Sequence, residues 1–407
     1  MTLDLEFVRA QFPAFAERSL RGQAFFENAG GSYACAPVIE RLMRFYRERK
    51  VQPYGAYDAS RVAGEEMDSA RIRLAAMLGV APEEVSFGPS TTQNIYVLAQ
   101  AFREFLSEGD AIIVTNQDHE ANSGAWRRLA DAGIEVREWQ IDPQSGHLDP
   151  ADLPALIDER ARLLVFPHCS NIVAEINDVK AICAVAREAG LFTCVDGVSF
   201  APHGLPDVGA LGADIYLFST YKTYGPHQGI MVIRGELGRA LPAQGHWFNA
   251  DVAYQRFTPA GPDHAQVAAC AGLADYMDML HAHHFEGHAG PLERAGAVHA
   301  LMREHEIALT EPLLDFLKER PGVRLIGPHE AARRAPTIAL ELAEPGAKVA
   351  AALAPHGIMA GGGDFYGVRP LEALGIDRKK GVLRLSFVHY TSREDIDHLI
   401  RALDHLL

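Results

Sequence analysis

Lys222 lies just past the apolar run Tyr216-Leu217-Phe218, in the sequence Ser219-Thr220-Tyr221-Lys222-Thr223-Tyr224-Gly225-Pro226. Upstream, Asp196 ends another apolar run, Leu191-Phe192-Thr193-Cys194-Val195, before Gly197. A carboxylate at one strand end and a lysine just past another form the pair that pyridoxal phosphate (PLP) chemistry needs. The amine holds the cofactor aldehyde as a Schiff base. The carboxylate keeps the pyridine nitrogen protonated, so that the ring accepts electrons. Taken singly, a lysine after a strand is usually solvated and an Asp at a strand end is usually a turn residue. The rest of the chain gives the pair its weight.

Three further groups sit at strand-to-helix junctions. Gly88-Pro89-Ser90-Thr91-Thr92-Gln93 offers hydroxyls and backbone N–H groups at a helix start, which suits a phosphate. Ser90-x-x-Gln93 also matches a capping box, and the two readings are compatible. His119, in Asp118-His119-Glu120-Ala121-Asn122, fits either a ring lying flat on an aromatic cofactor or a surface cap. Asn171, after Phe166-Pro167-His168-Cys169-Ser170, fits either a donor to a phenolic oxygen or ordinary turn chemistry.

The elements that must position these groups are short apolar runs alternating with helical segments between Glu84 and Gly235. The runs are 85–87, 111–114, 163–166, 192–195, 214–218 and 229–233; helical patterns include 94–105 and 179–189. Buried runs alternating with helices predict an α/β fold with a mostly parallel, mixed sheet flanked by helices. All five groups then fall at C-terminal strand ends, where open α/β sheets place ligands. From about residue 290 the order changes to a long helix (292–319), a strand (337–342), a helix (347–354), a strand (382–387) and a last helix from Arg393. This predicts a larger domain over residues 21–288 and a smaller α+β domain over 289–407, with residues 1–20 packing on the latter.

The net charge of −15 over 407 residues argues against nucleic acid and anionic membrane as partners. The opening Met1-Thr2-Leu3-Asp4 has no basic region before an apolar core, and no apolar run reaches membrane-spanning length. Cys35, Cys169, Cys183, Cys194 and Cys270 are scattered and odd in number, which predicts reduced thiols and a cytoplasmic location. His281, His283, His284 and His288 cluster on a helix. Without a completing Cys or carboxylate pattern they predict a solvated face rather than a metal site.

Taken together, these motifs resemble the class V aminotransferase superfamily of fold-type I PLP enzymes, and within it the cysteine desulfurase-like branch. The resemblance runs from Phe25-Phe26-Glu27-Asn28-Ala29-Gly30-Gly31 to the final helix. It implies that Lys222 carries the cofactor, Asp196 pairs with the pyridinium, His119 stacks on the ring and Asn171 meets the ring oxygen. It implies that Ser90, Thr91, Ser219 and Tyr221 hold the phosphate, and that Asn28, Ala29, Gly30 and Arg384 meet the substrate. Arg384, in Gly381-Val382-Leu383-Arg384-Leu385-Ser386, suits a substrate carboxylate because its planar fork matches two oxygens. Tyr221 stands where many relatives carry His, and Ser199 where desulfurases often carry Gln. The resemblance also implies a homodimer in which 256–262 reaches the partner's phosphate, with Gly261 in place of the usual Thr.

One departure bears on the reaction. Persulfide-carrying desulfurases hold a Cys in a loop of the small domain. The corresponding stretch here is Ala360-Gly361-Gly362-Gly363-Asp364-Phe365-Tyr366, and the last cysteine of the chain is Cys270. The Gly run predicts a mobile or closely packed loop facing the site. The expected activity is desulfurase-like C–S cleavage or β-elimination on an amino acid without a persulfide-carrying Cys. Alternatives are transamination, epimerisation and a non-catalytic PLP-binding protein.

Overall fold

The computed structural model describes residues 2–407. Its strands are β1 (Ala24–Phe25), β2 (Val85–Gly88), β3 (Ala111–Thr115), β4 (Glu135–Trp139), β5 (Ala161–Pro167), β6 (Phe192–Asp196), β7 (Ile215–Ser219), β8 (Gly229–Ile233), β9 (Arg324–Leu325), β10 (Thr337–Glu341), β11 (Ile358–Met359), β12 (Gly361–Gly363) and β13 (Val382–Ser386).

Seven of them form one sheet in the order β2-β8-β7-β6-β5-β3-β4. Strands β3 to β7 run parallel, while β8 is antiparallel to both its neighbours. The central strands are apolar on both faces because helices cover both. Leu163, Leu164, Val165 and Phe166 of β5 are all fully buried. From β3 the chain passes first to β4 on one side and then to β5 on the other. Such a reversal opens a crevice at the C-terminal strand ends. Every apolar run expected from the sequence is a strand of this sheet. One strand, β4, Glu135-Val136-Arg137-Glu138-Trp139, is not among those runs; it is an edge strand whose charged side chains pair with neighbours, as Arg137 does with Asp158 at 2.7 Å. Charge on an edge strand is common because it discourages pairing with other chains.

The smaller sheet, β12-β13-β10-β9, is wholly antiparallel, packs against helix Gly346–Leu353 and shares one apolar core with the C-terminal helix Arg393–Leu406. The Gly361-Gly362-Gly363 run forms β12, not a mobile loop, and sets Gly361 opposite Arg384. The N-terminal segment is tied to this sheet. β1 pairs in parallel with β11, Ser386 N–H donates to the Phe26 carbonyl at 2.7 Å, and Asn28 N–H donates to the Ser386 carbonyl at 3.2 Å. The first helix, Leu5–Ala10, spans both bodies. Arg9 bonds the Tyr390 carbonyl and Asp395, while Phe7 stacks on His283 at 3.8 Å.

The expected solvated histidine face holds in part: His283 and His288 are exposed, whereas His281 is buried and His284 is half-buried. His283 meets the Asp4 carboxylate at 2.9 Å, His284 accepts the Asp4 N–H at 2.9 Å, and His281 is buried against Phe285. His283 and His284 dock the N-terminal segment. Among the described residues no group of three His, Cys, Asp or Glu side chains converges as metal ligands, and no helix is long and apolar enough to cross a membrane.

Candidate active site

A cavity of about 470 Å³ lies at the C-terminal ends of the large sheet, roofed by the smaller body. Each wall follows from a strand end. Thr91 and Thr92 come from the helix start after β2, and Asp118 and His119 from the turn after β3. Asn171 follows β5, Asp196 ends β6, and Ser219, Tyr221 and Lys222 follow β7. Glu27, Ala29 and Gly30 enter from the N-terminal segment, and Phe365, Tyr366 and Arg384 from the smaller body.

Lys222 is enclosed, and its amine is pushed down to about 8. Burial disfavours the ammonium most, Arg384 adds to this, and Asp196 and Glu27 pull the other way. Burial also raises Asp196 above the usual carboxylate range, against the Val198 N–H that it accepts at 2.8 Å and the charge of Lys222. His119 is depressed to about 3 by burial, Lys222 and Arg384, so its ring is neutral. Its Nδ1 accepts the Ala121 N–H at 3.0 Å, which puts the proton on Nε2. The His119 ring lies 5.6 Å from that of Tyr366.

Three of the anticipated contacts, those of Ser90, Asn28 and Asn171, are arranged differently. Ser90 does not line the cavity; it caps helix Thr91–Phe105 by accepting the Gln93 N–H at 3.2 Å. The hydroxyl of Thr91 instead meets that of Ser219 at 2.8 Å at the cavity wall. Asn28 is spent on structure: its amide donates to the Ser386 carbonyl at 3.2 Å, and its oxygen accepts from the Tyr390 hydroxyl. Asn171 donates to the Phe365 carbonyl at 3.0 Å, leaving its buried Oδ1 without a partner. Gly261 sits in an exposed loop outside this cavity. Ser199 lines the wall, and Tyr221 does so while stacked on His227 at 4.7 Å.

Other groups were not anticipated. Asp118 is fully buried, and its Oδ2 accepts from Asn122 at 2.9 Å while Oδ1 has no partner. Burial, and then the neighbouring charge of Asp196, raise it well above the ordinary carboxylate value. Cys169 also reaches the wall, but its thiol donates to the Ala174 carbonyl at 3.4 Å and burial pushes it up to about 12. A thiol of that kind is inert. Glu27 pairs with Arg384, Oε1 to Nη2 at 2.6 Å. Phe365 and Tyr366 both adopt left-handed backbone, φ 50° and 56°, which is costly for residues with a Cβ. The larger body holds them there. Glu120 N–H donates to the Tyr366 carbonyl at 2.9 Å, Asn171 bonds Phe365, and Arg369 pairs with Glu120 at 3.2 Å. Position beside His119 was the only sequence signal for Asp118; Glu27 and Phe365–Tyr366 lay inside segments already singled out.

The donor set fits PLP. A lysine lowered to about 8 and an acid share one buried cavity, helix Thr91–Phe105 presents its N-terminus and two hydroxyls to it, and a neutral imidazole lines the same cavity. Fold and site together define a PLP-dependent enzyme, and comparison with known proteins agrees. The sequence model of the family described as Aminotransferase class-V matches residues 24–399. The chain belongs to the class V aminotransferase family. It is 32% identical to the "Aminotransferase-like protein FGM3" of Gibberella zeae, covering 100% of this chain and 99% of that one. It is also 32% identical to a "Cysteine desulfurase" of Serratia proteamaculans, again over 100% and 99%. Among solved structures, the cysteine desulfurase CsdA of Escherichia coli superposes with a TM-score of 0.84 at 24% identity, covering 100% of this chain and 98% of that one. The apo cysteine desulfurase of Thermococcus onnurineus superposes at 0.85 with 23% identity and the same coverage.

Proposed function

We propose that this enzyme cleaves a C–S bond, or eliminates a β-substituent, on an amino acid without passing sulfur through a protein thiol. One observation carries the reading: the segment 360–366 brings Phe365 and Tyr366 to the cavity, and the cysteine on its wall, Cys169, is held far from the thiolate form.

The residues divide the work. When bound, PLP supplies the electron sink that makes a proton at the substrate Cα removable. Lys222 holds the cofactor and, once its amine is free, takes that proton as the base; an amine near 8 is suited to neutral pH. Asp196 holds the proton on the ring nitrogen. Thr91, Thr92 and Ser219 receive the phosphate, and neutral His119 covers the ring face. Arg384 orients the substrate carboxylate. Phe365 and Tyr366 shield the reacting bonds from water. The enzyme works as a homodimer in the cytoplasm; its five free, buried thiols suit a reducing compartment.

A second reading, transamination, is favoured by the name of the aminotransferase-like relative, as similar as the desulfurase. The two separate by product analysis after incubation with cysteine and related thioether and sulfoxide amino acids. Keto acid with ammonia supports elimination, and alanine with released sulfur supports desulfuration. Conversion of the cofactor to its amine form, reversed by added keto acid, would replace both with transamination. A persulfide on any of the five cysteines, required for turnover, would overturn the proposal.

A further inference from the structure

The guanidinium of Arg384 does not face the cavity alone. It is 3% exposed, and its Nη2 is already held by the Glu27 carboxylate at 2.6 Å. Phe365 stacks on its face at 3.8 Å. Its Nε is buried without a partner, as is Oε2 of Glu27. The Glu27 side chain as a whole is 27% exposed and lines the cavity.

The slot for Glu27 is cut by two glycines. A Cβ on Gly30 would lie 2.7 Å from Oε1, and one on Gly361 would lie 2.1 Å from Oε2. Any other residue at either position would drive the carboxylate from its place. Both glycines are thus explained by the space this side chain needs. In the loaded enzyme Lys222 and Asp196 are committed to the cofactor. Of the other charged groups that line the cavity, Asp118 is fully buried and Glu120 pairs with Arg369, and Arg384 and Glu27, which sum to zero, meet each other.

We infer that Glu27 is a specificity-determining residue, making the anchor a charge-balanced pair that selects amino acids with a cationic or hydrogen-bond-donating side chain. The inference rests on the reading of Arg384 as the carboxylate anchor. A substrate carboxylate engages the arms of Arg384 that Glu27 leaves free. A side-chain donor beside it then meets the Glu27 carboxylate, whereas a second carboxylate there meets like charge in a poorly solvated site.

The test uses carboxylates that do not react with the cofactor aldehyde: propionate, succinate and 3-guanidinopropionate. Calorimetry on the holoenzyme reads their dissociation constants. Wild type is expected to bind 3-guanidinopropionate most tightly and succinate least. Glu27→Gln keeps the shape and removes the charge; it should weaken 3-guanidinopropionate and strengthen succinate by about tenfold each, with propionate moving less than either. Gly361→Ala, which displaces Glu27, should shift the selectivity in the same direction. An equal change for all three ligands, or none, in Glu27→Gln would overturn the inference. So would binding that survives Arg384→Gln unaltered. Failure of the PLP reading shows separately, as borohydride reduction that leaves no cofactor mass on the Lys222 peptide, while the three carboxylates still report on Glu27 and Arg384.

Discussion

Removing the charge of Arg384 should retune Lys222, and the pH dependence of cofactor loading reads this directly. Lys222 stands at about 8 instead of 10.5 because of burial and then Arg384. A drop of that size is worth roughly 3 kcal/mol between the charged and neutral amine, so at about pH 7.5 about a quarter of the amine is neutral, against about one part in a thousand for an ordinary lysine. Only the neutral amine attacks an aldehyde. The apo-protein should therefore take up PLP at a rate that climbs with pH and flattens above about pH 9, once the amine is mostly free. Arg384→Gln removes a cation that favours the neutral form and leaves Glu27 unbalanced. Both changes raise the amine, so the plateau should move to higher pH and loading near neutrality should slow. Adding Glu27→Gln should bring it part of the way back. Stopped-flow absorbance of apo-protein mixed with PLP gives the profile. A wild-type rate still rising tenfold per pH unit above pH 9, or an unmoved plateau in Arg384→Gln, would refute the reasoning.

Asp196→Ala should keep much of its bound cofactor, since the phosphate and Lys222 contacts survive, yet lose most turnover; wild-type turnover would remove Asp196 from the mechanism. Glu306 is buried between His203 at 3.0 Å and Arg303 at 3.3 Å. Burial pushes this carboxyl up, but the interactions with His203 and Arg303 outweigh it and hold it below its ordinary value. Its stabilisation is therefore present above the ordinary glutamate pKa and lost as pH falls through the depressed one. Glu306→Ala should cost about 3–5 kcal/mol in urea unfolding at neutral pH, because it strands the partners. Light scattering should give twice the chain mass, and a fully active monomer would contradict the dimer.

The large sheet was legible because a strand buried on both faces must be apolar throughout, as Leu163 to Phe166 are. Lys222, Asp196 and His119 were legible because each sits where such a strand stops. What escaped the sequence depended on partners far along the chain. Glu135–Trp139 reads as a charged loop until β3 is placed beside it. Gly361–Gly363 reads as a loop until β13 supplies its hydrogen bonds. Asn28 belongs to a segment that faces the cavity, but its own amide is claimed by Ser386 and Tyr390, and nothing local announces that. That His283 and His284 bind Asp4 and Phe7 was not legible, because these partners lie at the opposite end of the sequence.

The tie between the N-terminal segment and β13 divides the enzyme into two jaws. One carries Lys222, Asp196 and His119. The other carries Arg384, Phe365 and, through the hydrogen bonds joining Phe26 and Asn28 to Ser386, Glu27 as well. A shift of the smaller body would leave the geometry of Glu27 and Arg384 unaltered while changing their distance from Lys222. Substitutions that alter which amino acid is held are therefore separable from those that alter what is done to it. A library confined to residues 27–30 and 360–366 would search substrate range while leaving Lys222, Asp196 and His119 in place.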